Sequence, residues 1–174
     1  EFVSIPDQNI YELPPKLKMN EAPIAEPTAV ALHAVELGEK SSLTPINNFK
    51  ILIQGGGAIG LLCGLILSNV KKCNDITIVD PNKKRLKECS KYLDAISVDT
   101  NSKLIGDNTF DIIFDTVGLE VTRQQAIKSI KPGGIIIHIG LSQPSGHFDF
   151  RKATLQEITF IGTYCYTNKD FEKT

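Results

Sequence analysis

The stretch Ile51-Leu52-Ile53-Gln54-Gly55-Gly56-Gly57-Ala58-Ile59-Gly60-Leu61-Leu62 constrains this chain more than any other. A short apolar run enters a glycine cluster and leaves it as an apolar helix. Gly55, Gly57 and Gly60 stand on the spacing G-x-G-x-x-G. In that pattern the first glycine makes a tight strand-to-helix turn. The second lets the backbone approach a pyrophosphate, and the third lets helix and strand pack closely. The helix start adds unpaired N–H groups and a positive dipole end, both suited to an anion. The spacing alone is weak, because glycine-rich turns have other causes. Its context is the test: a strand before, a helix after, and an acid about 20 residues further on. The run Asp75-Ile76-Thr77-Ile78-Val79-Asp80 reads as a second strand ending in that acid. The competing reading is a structural glycine turn in some other α/β protein.

The rest of the chain alternates in the same way. Residues 50–54 predict the first strand and 57–70 its helix. Residues 76–80 predict the second strand, and Asp80-Pro81 the start of a second helix, since Pro suits the first turn. A short third strand is expected at 95–98 and a fourth over Phe110-Asp111-Ile112-Ile113-Phe114-Asp115. Residues 119–130 read as a helix stopped by Lys131-Pro132-Gly133-Gly134. The apolar run 135–140 reads as a strand buried on both faces. A short helix at 149–156 and a sixth strand at 158–162 complete the pattern. Six strands alternating with helices predict an α/β, doubly wound parallel sheet of Rossmann type. Right-handed crossovers give the order 3-2-1-4-5-6, with ligands at the carboxyl ends of the strands.

Ahead of this domain, assigned to 49–174, lies a connecting region at 20–48. There Asn20 is placed to cap a helix running to Gly38, kinked or restarted at Pro27. Residues 1–19 are Pro-rich, with a strand-like Phe2-Val3-Ser4-Ile5 that has no local partner. They read as the trailing segment of another domain, and the absence of an initiating Met fits an excised piece.

With 174 residues the chain can bury one real core. A net charge of −1 offers no electrostatic case for nucleic acid or an anionic membrane surface. No apolar stretch is long enough to span a bilayer. The four cysteines form no C-x-x-C pair, so neither a zinc knuckle nor a disulfide framework is expected, and a reducing, cytoplasmic setting fits best. Cys63 and Cys89 fall on apolar helix faces. The three histidines assemble no Ser/His/Asp or Cys/His constellation.

Asp80 ends the second strand where the hydroxyls of an adenosine ribose would sit. A carboxylate there accepts both hydroxyls and repels a 2′-phosphate, which favours NAD over NADP. The alternative is that Asp80 caps the next helix. Lys83, Lys84 and Arg85 complicate the preference, because a basic cluster suits a 2′-phosphate, although such a run is usually a solvated face. Asp115-Thr116-Val117-Gly118 and Ile139-Gly140-Leu141 end the fourth and fifth strands on the ligand side. Gly118 and Gly140 permit backbone approach there; each also reads as an ordinary turn.

In order, these pieces resemble the cofactor-binding domain of the medium-chain, zinc-dependent alcohol and polyol dehydrogenases, of the sorbitol, threonine and idonate dehydrogenase type. They begin with Ala25-Glu26-Pro27-Thr28-Ala29-Val30-Ala31-Leu32-His33-Ala34-Val35. Then come Gly55 to Gly60, Asp80, Arg85, Phe110 to Gly118, the Lys131-Pro132-Gly133-Gly134 turn with its strand to Gly140, and Ile161-Gly162-Thr163-Tyr164-Cys165-Tyr166. The resemblance implies pyrophosphate binding at Gly57, Ala58, Ile59 and Gly60, and ribose binding at Asp80 and Arg85. It implies a nicotinamide half held near Val117 and Gly118, by Ile139, Gly140 and Leu141, and by Thr163, Tyr164 and Cys165. Glu26 resembles the family's glutamate near a catalytic zinc; it also reads as a helix-terminal surface acid. The family's remaining zinc ligands, its four-cysteine lobe and its return to the catalytic domain have no counterpart in these residues. Ala58 stands where a proline is common.

The resemblance therefore implies NAD as cofactor, zinc in a longer enzyme, a small alcohol or polyol as substrate, and a homodimer through the sixth strand. No catalytic residue is assigned within the chain, which is expected to bind NAD without oxidising alcohol. A non-catalytic NAD(H)-sensing domain is the main alternative. A methyltransferase built on a related glycine loop fits the sixth strand poorly.

Overall fold

The computed structural model describes residues 2–100 and 102–174. Six parallel strands form one sheet: β1 (Lys50–Gln54), β2 (Asp75–Val79), β3 (Ile96–Val98), β4 (Phe110–Asp115), β5 (Ile130–His138) and β6 (Thr159–Gly162). Their order is β3-β2-β1-β4-β5-β6, the expected doubly wound arrangement. The register runs Ile51 against Ile76 on one side and against Ile112 on the other. β1 and β4 thus form the switch point, and Gly55 and Thr116 leave the sheet side by side.

Alternate residues of a strand face opposite ways, and both faces here are apolar. Ile51, Ile53, Ile76, Ile78, Ile112 and Phe114 pack with residues of helices α1 (Ala25–Lys40), α2 (Ala58–Asn69) and α3 (Lys83–Tyr92). Leu52, Val79, Phe110, Ile113 and Ile136 pack on the other face with Ala126 and Ile127 of α4 (Glu120–Ser129). A sheet covered on both sides explains why its central strands read as continuous hydrophobic runs.

Several local expectations change. Residues 2–5 form no strand and are exposed. Asn20 is not the cap: a 3-10 turn, Ala22–Ile24, leads directly into α1. Pro27 does not kink α1, because it lies in its first turn, where a missing N–H breaks no helical bond. Gly38 does not end the helix, which continues to Lys40. Its role is packing, since a Cβ there would lie 2.7 Å from Ile112 Cδ1. α3 is capped by Asn82, whose Oδ1 accepts the amides of Lys84 and Arg85, and not by Asp80. β5 begins at Ile130, earlier than the apolar run suggests. Phe110 pairs with Ile130, and a register shift then absorbs the Lys131–Gly134 turn. The helix expected at 149–156 is α5 (Phe150–Leu155), capped by Asp149. Cys63 and Cys89 are buried as expected, and burial pushes the Cys63 thiol up to about 12.

A helix that the pattern did not predict, α6 (Asn168–Lys173), follows β6 and docks on α1. Its Asp170 meets His33 Nδ1 at 2.9 Å, and Lys173 meets Glu36 at 2.6 Å. Phe171 lies between the rings of Tyr11 and Tyr166. Burial pushes the Asp170 carboxyl up. Hydrogen bonds from Thr167 and His33 outweigh it and leave the group below its ordinary value. The Lys173 hydrogen bond, working against burial, likewise lowers Glu36. A depressed native value means that the stabilisation is present above the ordinary carboxylate range. It is lost as pH falls through the native value. Backbone amides of α6 are therefore expected to lose hydrogen-exchange protection, relative to β1 and β4, when pH is lowered below about 4. Unchanged relative protection at pH 3 would show that apolar contacts alone hold α6.

Among the described residues, no helix is long and apolar enough to cross a membrane.

Candidate functional site

The residues singled out in the glycine loop, at Asp80 and at the ends of β4, β5 and β6 lie at or beyond the carboxyl ends of the strands, with the start of α2 among them. The three motif glycines have separate tasks there. Gly55 has φ +100°, a left-handed conformation that side chains rarely adopt, and its amide donates to Val79 O at 2.8 Å. A Cβ on Gly60 would lie 1.9 Å from Gly55 O, so this glycine lets α2 press against the turn. Gly57 differs from both. Its backbone is extended (φ −79°, ψ −170°), and a Cβ there would meet nothing within 4 Å. Neither strain nor internal packing calls for glycine at 57; the position faces open space.

Gly57 is also the N-cap of α2, with no side chain to close the helix end. Asn82, Asp149 and Thr167 cap α3, α5 and α6 with side-chain oxygens. Helical bonding in α2 starts with Leu61 N–H to Gly57 O at 2.9 Å. The first-turn N–H groups have no partner within the helix. Donors at the positive end of a twelve-residue helix suit an anion. Ala58 is exposed and Ile59 half-buried at this opening, and no side chain at 58 need change for an approach to the backbone.

Asp80 is 2% exposed. Its Oδ2 accepts Gly56 N–H at 2.8 Å and its Oδ1 accepts Asn82 N–H at 2.7 Å. Arg85 Nη1 stands 3.6 Å from Oδ2. The carboxylate therefore anchors the glycine loop to the end of β2. Thr116 does the same from β4, donating its hydroxyl to Gln54 O at 2.7 Å. A shallow depression lined by Pro81, Asn82, Lys83 and Lys84 opens next along the chain.

Beyond β4 and β5 two backbones touch. A Cβ on Gly118 would lie 2.0 Å from Gly140 O, and one on Gly140 would lie 2.1 Å from Val117 C. Their mutual contact already accounts for both glycines, independent of any ligand. Ile139 is half-buried and Leu141 75% exposed, so Leu141 is free to present its side chain to a neighbour. Past β6, Thr163 is buried and its hydroxyl oxygen has no partner, while Tyr164 and Cys165 are exposed. Cys165 has φ +53°.

Glu26 is exposed in the first turn of α1, and its neighbour Pro27 lines an apolar depression together with Ala58 of the glycine loop. Glu26 is an electrostatic neighbour of Tyr166, whose phenol is pushed up by burial first and by the Glu26 charge second. Among the described residues, no three His, Cys, Asp or Glu side chains are grouped to hold a metal ion.

The residues missed from the sequence are those that hold the loops. Thr116 and the Asp115 carboxylate fell within a stretch read only as a strand end. Asn82 opens a charged helix and carries a recognisable capping signal, but Asp80-Pro81 drew the assignment. Arg123 of α4 donates to the carbonyls of Gly118 and Ser145, and nothing in its local sequence indicates them.

Comparison with known proteins agrees with this geometry. A family model described as zinc-binding dehydrogenase matches residues 58–174. A probable D-xylulose reductase A of Neosartorya fischeri is 27% identical over 184 aligned residues, covering 99% of this chain and 50% of that protein. The structure of S. aureus TarJ in complex with NADPH superposes with a TM-score of 0.83 at 25% identity, over 96% of this chain and 52% of that one. Acetophenone reductase from Geotrichum candidum, in complex with NAD, shares the fold with a TM-score of 0.83 at 20% identity, over 96% and 47% of the two chains. The chain spans about half the length of the relatives it matches. With the family model matching residues 58–174, most of its length, the chain belongs to the zinc-binding dehydrogenase family.

Proposed function

We propose that this chain is the NAD-binding part of a zinc-dependent alcohol or polyol dehydrogenase. The observation that carries the reading is Gly57, a glycine that neither strain nor packing requires, at the uncapped start of α2. An incoming pyrophosphate supplies the missing reason. The amides at Gly57, Ala58, Ile59 and Gly60 face it, and the absent side chain at 57 lets it come close. Asp80 accepts a ribose hydroxyl while keeping hold of Gly56, and Arg85 flanks the same ribose. Val117, Gly118, Ile139, Gly140, Leu141, Thr163, Tyr164 and Cys165 border the nicotinamide half. The buried Thr163 hydroxyl, partnerless among the described residues, has a hydrogen bond to offer there.

When bound, the nicotinamide supplies hydride-transfer chemistry, and the protein contributes orientation and electrostatics. No catalytic acid or base is assigned in this chain. By this reading Glu26 is an acid on the zinc side of the full enzyme, with the other ligands drawn from outside these residues. The D-xylulose reductase relative supports a polyol as substrate class. An edge strand such as β6 suits a homodimer. Unpaired cysteines fit a reducing, cytoplasmic compartment.

The test is cofactor choice, which matters because TarJ was solved with NADPH. NADH is expected to bind this chain more tightly than NADPH. Asp80→Ala removes the loop anchor and the ribose acceptor together. NADPH is therefore expected to weaken and NADH to weaken further, by about tenfold more, as befits a charge-assisted hydrogen bond. Equal losses would leave Asp80 as a loop anchor only.

A further inference from the structure

One fully buried carboxylate has no part in the reading above. Asp115 ends β4 with 0% exposure. A buried carboxylate is costly unless hydrogen bonds or charges compensate it, and here the compensation is directed at two loops. Oδ1 accepts the amides of Val117 and Gly118 at 3.0 and 2.9 Å. Oδ2 accepts the Thr122 hydroxyl at 3.0 Å, with His138 Nε2 at 3.7 Å. The main-chain carbonyl of the same residue accepts the amides of Ile139 and Gly140 at 2.9 and 3.0 Å. Asp115 thus holds the loop after β4 with its side chain and the loop after β5 with its backbone.

Arg123 fastens the outer side of the same crossing. Its Nη1 donates to Gly118 O at 3.0 Å and its Nη2 to Ser145 O at 2.7 Å. Because the backbones at Gly118 and Gly140 are in contact, neither loop can shift without moving the other. These two loops border the nicotinamide end, whereas the glycine loop and Asp80 border the pyrophosphate and adenosine end. The two halves of the site are held by different side chains.

We propose that Asp115, assisted by Arg123, is a positioning residue for the nicotinamide end of the cofactor. The proposal rests on the assignment of a nicotinamide dinucleotide to this edge of the sheet. Asp115 is too buried to touch a ligand; it acts by fixing the backbone at 117–118 and 139–140. The pyrophosphate end has its own anchors in Asp80 and Thr116 and depends on Asp115 less.

The test titrates the whole chain and its variants with NADH and with ADP-ribose, which has the adenosine and pyrophosphate but no nicotinamide. The starting chain is expected to bind NADH more tightly than ADP-ribose. Asp115→Ala is expected to weaken NADH by about tenfold and ADP-ribose by less than about twofold, the loss of hydrogen bonds to a charged group being felt at one end only. Asp115→Asn keeps an acceptor oxygen for the two amides and is expected to restore most of the NADH affinity. Arg123→Met, at a half-buried position, is expected to show the same split to a smaller degree; it carries the test if Asp115→Ala fails to fold. Equal losses for NADH and ADP-ribose in the folded variants, or no loss in either, would overturn the proposal. So would a starting chain that binds the two ligands equally, and that result would leave the dinucleotide reading standing. A starting chain that binds neither ligand would overturn both.

Discussion

Gly60→Ala is expected to destabilise the chain by about 3 kcal/mol, the upper end of the usual cost of overpacking. The reason is the identity of the atom in the way. A Cβ at this position lies 1.9 Å from Gly55 O and 3.0 Å from Gly55 C. Neither is the end of a flexible side chain that can swing aside. Gly55 is itself held by its amide bond to Val79 O and by a φ of +100°. The turn cannot retreat without breaking the join between β1 and β2. Relief requires α2 to move away from the sheet, and α2 carries Cys63, Ile66 and Leu67 into the core. For a chain of this size that destabilisation lowers Tm by roughly 6–12 °C. Thermal unfolding followed by circular dichroism checks it. A shift below about 2 °C would mean that the helix start has slack, against the contact described. A control is available at Gly64, where an added Cβ meets the tip of Leu93 at 2.4 Å. That side chain can rotate, so Gly64→Ala is expected to cost less.

Gly57→Val is expected to give the opposite pattern. Position 57 is extended and a Cβ there meets nothing within 4 Å, so valine fits the fold. Stability is expected to change by no more than about 1 kcal/mol, the scale of exchanging one poor N-cap for another. NADH binding is expected to weaken at least about 100-fold, close to 3 kcal/mol, because the branched side chain fills the approach to the first-turn amides of α2. Fluorescence titration with NADH, alongside the melting curve, reads both quantities in one preparation. Loss of both together would assign Gly57 to the fold. Retention of both would remove the pyrophosphate from this position. Two glycines three residues apart in one motif are thus separated by experiment into one that serves packing and one that serves the ligand.

The motif glycines show how far pattern alone reaches. G-x-G-x-x-G with a following acid is a statement about backbone conformation, and backbone needs are local. The tight turn at Gly55 and the close approach at Gly60 were therefore legible from spacing, as were the six strands with their order. Asp80 was legible as an acid at the end of β2 but not as the anchor of Gly56. The partner lies 24 residues earlier in the chain and meets it only once β1 and β2 pair. Gly118 and Gly140 were read as places for a ligand to approach or as ordinary turns. Their first demand is that two backbones cross, which no local pattern records.

Elements outside the repeating α/β pattern were less legible. α6 follows the last strand and carries Asn168-Lys169-Asp170-Phe171-Glu172-Lys173, a short polar segment with no long apolar stripe. Its partners His33 and Glu36 are 137 residues away. Pro27 was read as a kink or restart because propensity assigns it a cost inside a helix; α1 starts at Ala25 after a 3-10 turn, so Pro27 falls in the first turn, where that cost vanishes.

Periodicity and glycine spacing were enough for the class of fold and the strand order. Each depends on interactions within a few residues, or on the requirement that every apolar face be covered. The loop anchors Asp80, Thr116 and Asp115, the Gly118–Gly140 crossing and the open space at Gly57 emerged only with the folded chain. They join groups far apart in sequence, brought together when parallel strands end side by side at the switch point.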